Sequence, residues 1–225
     1  MTDSIKTKIA ALLAKAEGTD NQFEAEAFMA KVNELLEKHQ IDMHEIRAKM
    51  GANADPLGKG AGETNLYASM AWSKDVAVAL ARYYGCRTVW WKRGNHMNYE
   101  VFGRESARIT FELMLPFVIS QVKQQGRRLW LEHGVKSQSV WSREVGQALV
   151  IRIWALIPKA EERRADLGKN ALVPVDDVQA LVDATYSNLK SARAKTMKYT
   201  SAAREAAEKV SINQQATGRH VKMIK

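Results

Sequence analysis

Cysteine is almost absent: Cys86 is the only one in 225 residues. No disulfide can form within the chain, and a lone thiol ahead of an expected strand, with no base in view, reads as a buried, inert one that suits a reducing compartment. Long apolar runs are missing too. No segment approaches about 18 uncharged apolar residues, so none is read as membrane-spanning. The opening MTDSIKTKIAALLAKAEG has no unbroken apolar core of the secretory kind, and the cytoplasm is the expected location. Phosphate-binding glycine loops, dinucleotide fingerprints, zinc-protease helices and nucleophile elbows are all absent, so no residue is assigned catalysis and no cofactor or metal is expected.

Positive charge is what the chain has in excess. Lys and Arg number 34 against 25 Asp and Glu, a formal +9. The excess is uneven. Residues 1–50 hold seven basic and nine acidic residues, a net −2. Residues 187–225 hold nine basic residues against Glu205 and Glu208, a net +7. A basic stretch of this kind favours a polyanionic partner, because each cation that neutralises a phosphate releases counterions. Lys190, Arg193, Lys195, Lys198, Arg204, Lys209, Arg219 and Lys222 are the candidate phosphate contacts, with Tyr199 as a ring on which a base can stack. The plainer reading of the same stretch is a solvated basic tail.

The expected fold is α+β and predominantly α-helical. Residues 1–50 read as a three-helix unit. Ile5, Ile9, Leu12, Leu13 and Ala16 recur at helical spacing, Gly18 stops the first helix, Asn21 and Glu24 form a capping box for the second, and Asp42 and Glu45 form one for the third. Residues 51–66 carry four glycines and a proline and read as a linker, the best domain boundary. Residues 67–189 then read as a helical domain with a β-hairpin at 86–103 that turns at Gly94-Asn95. Its helices are expected at about 105–133, kinked or divided at Pro116, and about 139–164, interrupted near Pro158. ALVPV (171–175) suggests an edge strand, followed by a helix capped by Asp176 or Asp177 and running to about Leu189. Residues 190–225 form a basic C-terminal extension with one short helix, SAAREAAEKV.

The hairpin is a second candidate surface. Trp91, Lys92 and Arg93 set an aromatic ring beside two cations, the mixture a nucleic-acid platform needs. The competing reading is packing, with one of Trp90 and Trp91 facing the core and the other covering a sheet edge, because alternate strand residues face opposite ways. The cluster His39, Asp42, His44 and Glu45 has metal-ligand residue types, but Asp42 and Glu45 already serve as caps and no second cluster completes a site. The FGRES turn (102–106) leads into a helix N-terminus that can hold an anion, a single weak signal.

Lys8, Leu12, Leu13, Ala16, Glu17, Thr19, Asn21, Glu24, Ala25, Glu26, Lys31, Glu34, Leu35, His39 and Asp42 together resemble the N-terminal domain of an uncharacterised family spread through bacteria, phages and prophages. The Trp-bearing helix, the Cys-containing strand and VFGRES look similar as well. Where relatives often carry glycines near the end, this chain has SAAREAAEKV. The resemblance implies a phage or prophage accessory role in a bacterial cytoplasm and assigns no catalytic residue. The leading expectation is a non-enzymatic nucleic-acid-binding protein, for DNA more than RNA. The alternatives are a protein-interaction module that inhibits or recruits a host or defence enzyme, and a metal-dependent nuclease built on the His39 cluster.

Overall fold

The computed structural model describes residues 3–19, 24, 27, 28, 30–32, 34, 35, 56–67, 71–94, 96–167, 175–189 and 198–212, with the backbone alone for 3, 5, 6, 10, 13, 17, 18, 61–67, 96, 163–167 and 175–177. The elements are α1 (Asp3–Gly18), β1 (Leu57–Tyr67), α2 (Ala71–Tyr83), β2 (Arg87–Arg93), β3 (His96–Arg104), α3 (Glu105–His133), α4 (Gln138–Leu167), α5 (Val175–Thr185) and α6 (Ser201–Glu208). The protein is α+β and predominantly helical. The described residues between 24 and 35 are helical as expected; the third N-terminal helix and ALVPV up to Pro174 lie outside the described residues.

Helices α3 and α4 form an antiparallel hairpin at the centre. Gly134 ends α3 in the left-handed region at φ 64° and donates its N–H to the Trp130 carbonyl, the conformation that favours glycine at a helix C-terminus. The two helices meet at Gly126. A Cβ there would lie 2.2 Å from Ser142 Oγ and 2.6 Å from the Ser142 backbone nitrogen. Gly146, on α4, meets the Trp72 ring of α2 in the same way. Pro116 and Pro158 do not divide their helices. Both sit on exposed faces, where carbonyls robbed of a partner can turn to water.

The sheet is antiparallel in the order β1-β3-β2. The segment expected as a linker is therefore strand from Leu57 onward, a correction with a steric cause. Gly58 and Gly60 lie against α3. A Cβ on Gly60 would come within 3.0 Å of Arg108 and 3.2 Å of Glu112. Glycine weakens a strand, and in a strand interior it often marks such a close approach. The core also crosses that stretch: Ile9, Ala16 and Val32 join the buried cluster of α2, α3 and α4. The last expected helix of the middle domain begins at Val175 and ends at Thr185, so Asp176 and Asp177 fall in its first turn instead of capping it.

Candidate nucleic-acid interface

Alternation along the hairpin separates two functions. Trp90 and Tyr99 pair across β2 and β3 with ring centroids 5.0 Å apart, and the Trp90 indole N–H donates to Thr88 Oγ1 at 2.9 Å. Tyr99 is buried and meets Phe111 of α3 edge to face. Burial, with a smaller effect from the Glu112 carboxylate, pushes the Tyr99 hydroxyl up to about 12. This face is core. The opposite face splits in two. At one end α5 covers Phe102 with Val178 and Val182, flanked by Leu57 and Val89, and Gln179 accepts from Arg87 Nε. That cover ends at Glu100, which accepts from Tyr186 Oη at 2.7 Å and pairs with Lys59 at 3.3 Å. Its hydrogen bond to Glu100 raises the Tyr186 pKa.

Beyond Glu100 the face is open. Trp91, paired across to Asn98, is 42% exposed. Arg93 stands two residues on, on the same face, and Lys92 is exposed on the other. None of the three makes a hydrogen bond or ion pair with the described residues. Glu100, on that face, is already engaged by Lys59 and Tyr186, and the register places Glu63 of β1 on the same face, opposite Asn98. An indole held in solvent on the same face as an unpaired guanidinium, with its strand neighbour Trp90 packed inward, can stack a base while the cation holds phosphate.

The basic C-terminal stretch has a different character. Residues 198–212 are docked. Ala203, Ala206 and Ala207 are buried, and their small side chains let α6 lie close on α4, while Val210 and Ile212 are buried just beyond the helix. Thr200 caps α6, accepting from Ala203 N, while its own N–H and hydroxyl donate to Glu144. Arg152 donates to the Ala207 and Val210 carbonyls at 2.8 and 2.7 Å and pairs with Glu208, a cation at a helix C-terminus. Ser211 N–H donates to Gln121, and Tyr84 Oη donates to the Ile212 carbonyl.

Lys198, Arg204 and Lys209 are exposed on this docked segment, interspersed with exposed Glu205 and Glu208. Tyr199 is half-buried against the main core, so its ring is spent on packing rather than held free to stack. Lys190, Arg193, Lys195, Arg219 and Lys222 lie outside the described residues, as do His39, Asp42, His44 and Glu45. Among the described residues no three of His, Cys, Asp and Glu are grouped to hold a metal ion, and Cys86 is buried against Gly103. At the FGRES turn, Arg104 caps α3 without a side-chain hydrogen bond and Glu105 N–H already donates to the Pro56 carbonyl. The hairpin platform packs with α2, α3 and α5, whereas α6 packs on α3 and α4; the two basic surfaces are carried by different elements.

Glu144 is the anchor of the docked segment, and its ionisation is linked to stability. Burial pushes its carboxyl up, but hydrogen bonds from Lys136 and Thr200 outweigh burial and hold it below the usual carboxylate range. A carboxyl lowered in the folded state stabilises above its unfolded pKa, and the contribution is lost as pH falls through the folded value. Glu144→Gln is therefore expected to cost about 1–3 kcal/mol at neutral pH. It should also flatten the loss of stability below about pH 4.5, with denaturant melts across that range as the readout.

The fold and the open hairpin face thus define a predominantly helical α+β protein with an aromatic-cationic surface and no metal cluster among its described residues. A family model described as "Protein of unknown function (DUF2786)" matches residues 4–43, which span α1 and the helical residues that follow. No curated protein and no solved structure matches the chain. No helix among the described residues is long and apolar enough to cross a membrane.

Proposed function

We propose that the protein is a non-enzymatic nucleic-acid-binding accessory protein, and that it takes a single strand on the open face of the hairpin. The observation that carries this reading is Trp91, kept in solvent with unpaired Arg93 on the same face, while exposed Lys92 adds charge from the other side of the strand. Bases offer a π-face only when unstacked from a partner strand, so an exposed indole favours single strands. Lys198, Arg204 and Lys209 on the docked C-terminal segment add sequence-independent attraction for phosphate. The resemblance of the first forty residues implies a phage or prophage accessory role in a bacterial cytoplasm, and the proposed target there is DNA. Titration with a fluorescent single-stranded DNA of about 15 nucleotides, against its duplex, tests the reading. Tighter binding of the single strand is expected, and no binding at low salt rejects it.

A second reading has its own observation. Ile151 and Trp154, one turn apart on α4, are 44% and 46% exposed. Large apolar side chains grouped on one helix face suit a protein partner, such as a host or defence enzyme. A protein that ignores oligonucleotides but retains a stoichiometric partner after nuclease treatment, and loses it on Trp154→Ala, would favour this reading.

A further inference from the structure

A concave site lies away from the hairpin, between α1 and the middle of α3. It is a groove of about 300 Å³, the low end of the range for small-ligand sites. Ala16 of α1 and the ring of Phe117 contribute apolar lining. Gln121, Lys123, Gln124 and Arg127 line it from successive turns of α3, and Gln138 adds an amide from the start of α4.

The polar side chains in this groove are two cations with no partner among the described residues, together with amides and the Ser120 hydroxyl, which can each donate. Lys123, Gln124, Arg127 and Gln138 make no hydrogen bond or ion pair with the described residues. This sets Arg127 apart from its neighbour Arg128, whose guanidinium is held at 2.7 Å by Glu132. Gln121 has its oxygen occupied by the Ser211 N–H at 2.7 Å, which leaves its amide N–H groups as the end still available. No carboxylate lines the groove among the described residues. An ammonium, a guanidinium and amide groups around one concavity, with no carboxylate among the described lining residues, match a tetrahedral oxyanion. Arginine's planar fork suits phosphate in particular. The apolar lining suits the sugar or base to which a phosphate is attached.

From this convergence we infer that the groove is a phosphate-binding site for a nucleotide, either free or at the end of a nucleic acid strand. The site does not depend on the hairpin, and Trp91→Ala leaves it intact. Its connection to Ser211 ties it to the docked C-terminal segment, so an occupied groove and a docked α6 share Gln121.

Isothermal titration of the full chain tests the inference with four probes: inorganic phosphate, adenosine triphosphate, and a short single-stranded DNA with and without a 5′-phosphate. Wild-type protein should bind adenosine triphosphate, and Lys123→Gln with Arg127→Gln together should weaken it by about tenfold or more, since charge-assisted hydrogen bonds are lost. Arg128→Gln removes one charge from the next position and should change affinity less than about twofold, as expected for a charge outside the groove. Both sets of variants alter exposed side chains, and unchanged thermal melts would confirm that the fold is intact. Adenosine triphosphate binding that the DNA displaces only when it is 5′-phosphorylated assigns the groove to a strand end. Adenosine triphosphate binding that neither DNA displaces assigns it to a free nucleotide. No binding of any phosphate probe at millimolar concentration overturns the inference, and so does an equal loss in Arg128→Gln. If adenosine triphosphate binds while neither DNA does, the groove stands and the proposed function falls.

Discussion

Trp91→Ala is expected to weaken binding of single-stranded DNA by roughly 5- to 150-fold, the range for losing one base–aromatic stack. Trp91→Phe should restore most of it, since a phenyl ring still offers a stacking face. The effect is expected on binding more than on folding, because Trp91 is 42% exposed and belongs to neither buried core cluster. Trp90 gives the internal control. Its ring packs on Tyr99 and its N–H on Thr88, so Trp90→Ala should destabilise the hairpin and lower the melting temperature. Arg93→Ala should weaken every sequence to a similar degree and reduce the slope of log K against log salt by about one. Equal affinity in wild type and Trp91→Ala would remove the hairpin from the interface and leave the second reading, on Ile151 and Trp154, in front.

Gly126→Ala carries the largest expected effect on stability. On an exposed helix, glycine to alanine is stabilising by about 1 kcal/mol. Here the added methyl would sit 2.2 Å from Ser142 Oγ, 2.6 Å from its backbone nitrogen and 2.7 Å from its Cα. The backbone atoms cannot rotate away, so α3 and α4 must separate along the line on which the core is built. A loss of about 3 kcal/mol or more is expected from such overpacking, a fall of roughly 6–12 °C in Tm for a chain of this size. Ser142→Ala in the same protein should recover only part of it, because the backbone contacts persist. An unchanged or raised Tm would contradict the crossing at Gly126.

Much of this fold is legible in the sequence, and the departures have local causes. The adjacent tryptophans in CRTVWWK, followed by a glycine turn, announce a hairpin with one indole in and one out, and the structure has Trp90 inward and Trp91 outward. The long helices are legible from their periodicity despite Pro116 and Pro158, whose exposed placement spares the helix. GANADPLGKGAGETNL misleads because glycine ordinarily signals flexibility. Here Gly60 leaves room for the close approach of the Arg108 and Glu112 side chains, a reason that exists only in three dimensions.

The functional surfaces divide in the same way. Trp91, Lys92 and Arg93 are contiguous and can be found by eye. The C-terminal charge run draws attention to its lysines and arginines, while Ala203, Ala206, Ala207 and Val210, at the spacing of a buried helix face, give the signal that it docks. Tyr199 follows that face inward. The groove has no contiguous signature in the sequence. Lys123 and Arg127 are one turn apart on α3, an available hint, but Gln138 lies beyond the turn to α4 and Ala16 on another helix. Only the helix packing brings them together.

The most direct test of nucleic-acid binding is the affinity of the full wild-type chain for single-stranded DNA as salt is raised from about 50 to 200 mM. A protein that holds phosphates with several cations loses affinity linearly in log salt, with a slope of roughly −0.7 per phosphate neutralised on a single strand. A slope between about −2 and −4, from three to six contacts, is the predicted result. A flat response, or no binding at the lowest salt, would contradict it.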